Sequence, residues 1–384
     1  MVAERPGRGE PGDTGGLTGP LIVLGGGPAQ RHAIEAAAAL GIGTIVLDVD
    51  PARADVPIST EDVDGVRRAA RDADADGVIA PGTDWPVRIA AYACQDLGIS
   101  HPISVETARL ATNKLTQRQA LQAAGVPQPD WSETAPPSFP CVVKAPDRQG
   151  QRGMSVVAYE DELHTAISRA RHGSRSGRVL FETFIAGPEV TVNGFSLDGA
   201  YTALAVTDRH HFENAPGVAR RHVYPPAQDP GPAAAVAESA VRALGITQGP
   251  SYVQIVLGAD GPRVMEVAAR LGGGHDSELV RIATGVDLAS AAVRCALGMP
   301  VDPAALVPEP RSACVIEFLQ APPGRLVQAA GPPEATFYHP SGHVYGPLHI
   351  ATDRAGYVIV SAPQREEALR RAENACQAIR FEVE

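Results

Sequence analysis

Four aliphatic residues, Leu21 to Leu24, run directly into Gly25-Gly26-Gly27 and then into the alanine-rich stretch AQRHAIEAAAALG. An apolar run this short, with no polar alternation, is the pattern of a strand buried on both faces. The glycines let the chain turn sharply, and the alanines that follow favour helix. The unit then recurs: GTIVLDVD and DGVIAPG read as two further strands, with helical stretches at 62–72 and 85–97. Strands alternating with helices imply a parallel sheet covered by helices, here an α/β domain over residues 21–105. The Gly/Pro/charged segment before it, 1–20, reads as a disordered tail.

The remainder departs from that alternation. SVETARLATNKLTQRQALQAAG reads as one helix stopped by Gly125 and Pro127. A β-rich stretch follows, with CVVKA, SVVAY, RVLFETFI, EVTVNGFSLDGAYTALAVTDRHHF and HVYPP as strands. A helix at 232–244 precedes the hairpin SYVQIVLGADGPRVMEVAAR, with Asp260-Gly261 at its turn, and a helix at 277–297 closes the unit. This makes 106–305 a second domain in two subdomains, and 306–384 a small C-terminal α+β domain containing ACVIEFL, GYVIVSA and the helix QREEALRRAENACQAIR. At 384 residues the chain exceeds one ordinary core, which agrees with several domains.

A net charge of −11 argues against nucleic acid or an anionic membrane as main partner, though local positive charge can still hold a small anion. The five cysteines are scattered without a CxxC pair and read as reduced thiols. No apolar run reaches the ~18 residues of a membrane span, and the N-terminus lacks the apolar core of a signal peptide. The expectation is a cytoplasmic protein.

Three features carry chemistry. The first is the glycine cluster with Asp48 where a ribose-binding acid would lie, which invites a dinucleotide reading. Gln30, however, stands where the third glycine of that fingerprint is needed, so the glycines read better as a turn device or a substrate-side loop. The second is lysine usage. The chain uses arginine almost everywhere and keeps lysine at two positions, Lys114 and Lys144. Lys144 ends a strand and precedes DRQGQRGM, a loop whose backbone N–H groups can fold over phosphates. An ammonium is a point charge able to touch one phosphate oxygen and leave its neighbour free. The third is acidic: Glu189 follows a strand-like linker, Glu182 to Ile185, that can offer backbone to an adenine edge. Gln254 and Glu266 can face each other near one end of the hairpin, and a carboxylate beside phosphate-binding lysines is what Mg²⁺ requires.

The ordered set NK at 113–114, VVKA ending on Lys144, the loop to Gly153-Met154, ETFIAGPE at 182–189 and QIVLGADGPRVMEVAAR at 254–270 resembles the ATP-grasp superfamily. The likeness covers nearly the whole chain after residue 20, with 21–105 similar to the Rossmann-like N-terminal domain of that superfamily. It implies that Lys114 and Lys144 contact ATP phosphates, with Gly150 and Gly153 in the covering loop. Met154 would cover the adenine, the backbone of Glu182, Thr183, Phe184 and Ile185 would read its edge, and Glu189 would hold the ribose. Glu266, with Gln254, would bind Mg²⁺ or Mn²⁺, and Arg270 would face the reacting carboxylate or phosphate. MEVAARLGGGH resembles L-amino-acid ligases more than relatives carrying asparagine at the position of Ala268.

The function implied is an ATP-dependent carboxylate–amine ligase acting through an acyl phosphate on small amino-acid-like substrates. Dimers are common in the group, so a homodimer is among the expected assemblies. Arg220, Arg221 and His222 lie where such ligases carry substrate-side residues, though a solvated arginine pair would look the same. Gly273 and His275 are candidates of the same kind, with an uninvolved loop histidine as the alternative. DRHHF at 208–212 suggests metal to the eye, but adjacent strand residues face opposite ways. Gln254 departs from the acidic ligand usual in the group. Three other readings stay open: a bicarbonate- or formate-activating enzyme of purine-type metabolism, a degenerate ATP binder, and an NAD-dependent oxidoreductase.

Overall fold

The computed structural model describes residues 18–384. The proposed tail therefore lies, but for its last three residues, outside the described residues. The first part of the chain forms β1 (Leu21–Leu24), α1 (Arg31–Ala39), β2 (Thr44–Asp48), β3 (Val56–Pro57), α2 (Val63–Asp72), β4 (Gly77–Ile79) and α3 (Asp84–Leu97). Its four strands make a parallel sheet in the order β3-β2-β1-β4. All four residues of β1 are fully buried, as a central parallel strand requires. Gly98 ends α3 in the left-handed conformation (φ 65°).

The single helix expected before Gly125 is two: α4 (Val105–Ala111) and α5 (Lys114–Ala123). Asn113 causes the break. Its extended backbone leaves the helical region, and its side chain accepts a hydrogen bond from Leu115 N at 2.9 Å, capping α5. Next come β5 (Trp131–Ser132), β6 (Cys141–Lys144), β7 (Ser155–Val157), α6 (Leu163–Gly173) and β8 (Leu180–Thr183), whose strands form a small antiparallel sheet in the order β5-β8-β6-β7.

The large sheet begins with β9 (Glu189–Leu197), β10 (Ala200–Phe212), β11 (Ala215–Tyr224), α7 (Gly231–Ala243), β12 (Gly249–Gly258) and β13 (Gly261–Ala268). The hairpin turn is Ala259-Asp260, one residue earlier than expected, because Gly258 pairs with Gly261. The helix expected over 277–297 is also two, α8 (Asp276–Thr284) and α9 (Leu288–Ala296), separated at Gly285 (φ 81°). The last part holds β14 (Ala313–Leu319), β15 (Gly324–Ala330), β16 (Ala335–Phe337), β17 (Val344–Tyr345), β18 (Gly356–Ala362), α10 (Arg365–Gln377) and β19 (Arg380–Val383). Strand β14 pairs with β11, so the C-terminal part extends the large sheet to eight strands, β13-β12-β9-β10-β11-β14-β18-β16. A separate sheet, β17-β15-β19, stands beside it. This continuity holds the C-terminal residues against the face that carries the site. No helix among the described residues is long and apolar enough to cross a membrane.

Candidate functional site

Two cavities meet on the large sheet. The first, of 690 Å³, lies between the small sheet and the hairpin of β12 and β13. The second, of 270 Å³, lies between the N-terminal α/β part, the Gly-rich loop after β13 and the C-terminal part. Gln254 and Glu266 line both, and they are direct cross-strand partners in the hairpin register.

Lys114 opens α5, where the Asn113 cap fixes it. Its Nζ is 2.6 Å from Glu266 Oε1 and donates to Arg148 O at 2.8 Å. Its backbone N–H donates to Pro146 O at 2.8 Å, tying the helix start to the loop that follows Lys144. Lys144 ends β6 almost wholly buried, with Nζ 2.7 Å from Glu182 Oε2. Burial pushes its pKa down to about 8 although Glu182 pulls the other way. Burial would raise the Glu182 carboxyl, but Arg118 and Lys144 outweigh it and bring it to about 2. Glu266 likewise stays below the usual carboxylate range, because Lys114 outweighs its desolvation.

Both lysines, Gly150, Met154, Glu182, Thr183, Phe184, Ile185 and Glu189 all line the first cavity. Glu189 is engaged by Arg209 (2.5 Å) and His211 (2.9 Å). Gly153 does not reach the cavity wall. It adopts φ 72° and packs on the C-terminal end of α6, where an added Cβ would lie 3.2 Å from Ala145 and 3.4 Å from Gly173, so its role is to fold the loop. Arg270, His222, Gly273 and His275 line the second cavity. Arg270 Nε is 2.7 Å from Asp84 Oδ1.

Arg220 and Arg221 are a correction. Both guanidinium groups bind Glu317 of β14, the strand paired with β11, and neither lines a described cavity. The pairing of β11 with β10 skips Arg220, so the adjacent Arg220 and Arg221 both reach Glu317, while His222 turns to the second cavity. Strict alternation fails at His210 and His211: the register of β10 shifts between them, and both line the first cavity. Asp48, the candidate ribose acid, accepts from Gly26 N (2.9 Å) and Asp50 N (3.0 Å), while Gln30 Nε2 donates to Pro81 O (2.8 Å). The glycine turn is thus held by its own chain.

Sequence comparison adds two family matches in chain order. Residues 130–303 match the family model described as the carbamoyl-phosphate synthase L chain ATP-binding domain, and 317–384 match L-amino acid ligase C-terminal domain 2. Both matched models describe ATP-grasp ligases, and the chain resembles that group over most of its length. The ligase is thus an enzyme of the ADP-forming, carbon–nitrogen bond-forming class. It is 36% identical over 109 residues to a D-alanine–D-alanine ligase of Desulforudis audaxviator, a match covering 25% of this chain and 35% of that one. It is 26% identical to an uncharacterized protein of Sinorhizobium fredii over 92% of this chain and 80% of the relative. Its fold superposes on the L-amino acid ligase from Bacillus licheniformis with TM-score 0.83, at 20% identity, over 96% of this chain and 99% of that one.

Several residues in or beside the two cavities escaped the sequence reading. Arg118 is 1% exposed, and its Nε donates to Glu182 at 2.7 Å while its terminal nitrogens donate to the carbonyls of Val264 (2.9 Å) and Met265 (2.6 Å). One signal was available, since it follows Lys114 by four residues and so shares its helix face. Asp84, Arg209 and Arg354 had none: each comes from an element whose neighbours are set only by the tertiary fold.

Proposed function

We propose that the ligase joins the carboxylate of an amino-acid-like substrate to an amine through an acyl phosphate, forming an amide bond and releasing ADP and phosphate. The observation that carries this reading is the meeting of the two cavities at Glu266 and Gln254, with Lys114 and Lys144 on one side and Arg270 on the other. The first cavity has the size and donor set for Mg·ATP. Two ammonium groups serve the phosphates, and the strand end Thr183 to Ile185 supplies backbone to the base.

The donor set also fits Mg²⁺. That ion takes one or two carboxylates and completes its shell with phosphate oxygens and water. Glu266 offers the carboxylate, and the Gln254 amide, which hydrogen-bonds no described residue, can turn its oxygen to the same point. Bound there, Mg²⁺ would neutralise charge on the phosphates. The chain itself supplies position and countercharge. Lys114 and Lys144 would hold the phosphates, while Arg270, oriented by Asp84, would draw the substrate carboxylate toward them. Attack of a carboxylate oxygen on the γ-phosphorus releases ADP. The amine, as its free base, then attacks the acyl carbon and gives up one proton, which the departing phosphate or solvent takes, as phosphate leaves with the electron pair of the carbon–oxygen bond.

The test is ADP and phosphate release from Mg·ATP over amino acids offered singly and in pairs, with products identified by mass. Release requiring one carboxylate and one amine, with an amide of the summed mass less water, is the expected result. ATP binding with no stimulated release under any pair would replace this reading with a degenerate nucleotide binder, to which Gln254 would be the first clue.

A further inference from the structure

Among the described residues the buried lysine and arginine side chains are Arg118, Lys144, Arg209 and Arg354. The first three are ion-paired, to Glu182 or to Glu189. Arg354 has no carboxylate partner. It stands between a short turn at Ala351–Asp353 and β18, and two contacts fix it: Nε donates to Ala351 O at 2.7 Å, and the guanidinium lies 3.8 Å above the centre of the Phe318 ring. Its terminal nitrogens donate to no described residue, and the side chain lines the second cavity.

An uncompensated buried cation is costly, and burial lowers the Arg354 pKa below the usual arginine value. Such a cost is offset when a ligand brings the missing anion, and a fixed guanidinium fork selects one that accepts two parallel hydrogen bonds. The phosphates of ATP are poorly placed for this, because Arg354 does not line the first cavity. The reacting carboxylate is committed elsewhere, since it must reach the Glu266–Gln254 junction beside Arg270. Of the arginines lining the second cavity, Arg53 and Arg152 are exposed and Arg209 is paired with Glu189, which leaves Arg270 for the anion that reacts and Arg354 for a second that does not.

We propose that Arg354 binds a carboxylate that takes no part in bond formation, so that one of the two substrates carries a second anionic group. This rests on the ligase reading of the site. Two sources share that chemistry: a side-chain carboxylate on the acid that is activated, or the free carboxylate of an amino-acid acceptor.

The experiment compares each carboxylate-bearing substrate with its capped form, glutamate with glutamine and aspartate with asparagine for the side chain, and amino acids with their amides for the acceptor. KM is measured with saturating Mg·ATP in the full chain, in R354M and in R354K. The parent should prefer one carboxylate form over its capped counterpart by about 10–100-fold in KM, a charge-assisted hydrogen bond's worth. That preference should collapse in R354M and be only partly kept in R354K, which retains charge but loses the fork. The pair that shows the preference identifies the source. Equal KM for charged and capped forms in the parent, or a preference that survives in R354M, would overturn the proposal.

If no pair supports turnover, the ligase reading fails by itself, and binding still decides this one. Glutamate or an amino acid should raise the melting temperature of the parent more than its capped form does, and R354M should abolish the difference. No such difference in the parent overturns the proposal. Removing an unpaired buried charge should not lower stability, so R354M is expected to melt no lower than the parent.

Discussion

Lys144 lies 2.7 Å from Glu182 in the wall of the first cavity, and burial holds its pKa at about 8 rather than near 10.5. The neutral form therefore gains population as pH rises through 8. A phosphate placed beside it favours the charged form and lifts the pKa again. Nucleotide binding should take up a fraction of a proton at pH 8.5 and almost none at pH 6.5. Titration calorimetry in buffers of different ionisation heat reads that uptake directly, and its absence at pH 8.5 would deny Lys144 a place at the phosphates. For stability the sign is also fixed: a lysine with a depressed pKa costs stability below about pH 8, and the cost is relieved as pH rises toward 10.5.

Glu182 behaves oppositely, with a pKa near 2 against 4.5. Its contribution is present above pH 4.5 and lost as pH falls toward 2. Arg118→Met removes its stronger partner and strips donors from the Val264 and Met265 carbonyls. The variant should lose about 3–5 kcal/mol in urea titration, and its acid transition should move to higher pH. A loss under 1 kcal/mol would mean that Lys144 alone satisfies Glu182. Lys114 and Lys144 were legible because lysine is rare in this chain; Arg118 was not, because arginine is common. Arg221 was misread because sequence proximity to His222 hides the fact that neighbours on a strand face opposite ways.

At the level of elements, the break at Asn113 matters more than its length suggests. It turns an expected single helix into two and makes Lys114 the first residue of α5, with its N–H on Pro146 O. Asn113→Ala should cost about 1 kcal/mol by loss of the cap. Because the cap sets the direction of Lys114, nucleotide affinity should fall as well, measured by calorimetry against an exposed-site control such as Ser239→Ala. Stability lost with affinity unchanged would mean the Pro146 contact suffices. The strands and the parallel N-terminal sheet were readable from apolar runs bounded by glycine. The two helix breaks were not: TN at 112–113 and the glycine at 285 interrupt patterns whose periodicity continues across them. Neither offers a proline, the signal that would have ended a helix outright.

Across the whole molecule, the second cavity draws Gly82 and Asp84 from the N-terminal part, Arg270 and His275 from the loop after β13, and Tyr338 and Arg354 from the C-terminal part. Around His275 the same three parts meet: its Nδ1 is 3.3 Å from His32 Nε2, its Nε2 is 2.6 Å from Tyr338 Oη, and its ring stacks on Tyr357 at 3.8 Å. The order of the motifs was legible along the chain. Their convergence was not, because it depends on the pairing of β11 with β14, which carries no local sequence signature. The central claim is that a substrate carboxylate is phosphorylated before the amine attacks, and oxygen labelling tests it most directly. With the carboxylate substrate labelled with ¹⁸O, one ¹⁸O should appear in each phosphate released with ADP, and the other should remain in the amide. Unlabelled phosphate, or label carried into AMP instead, would contradict the account.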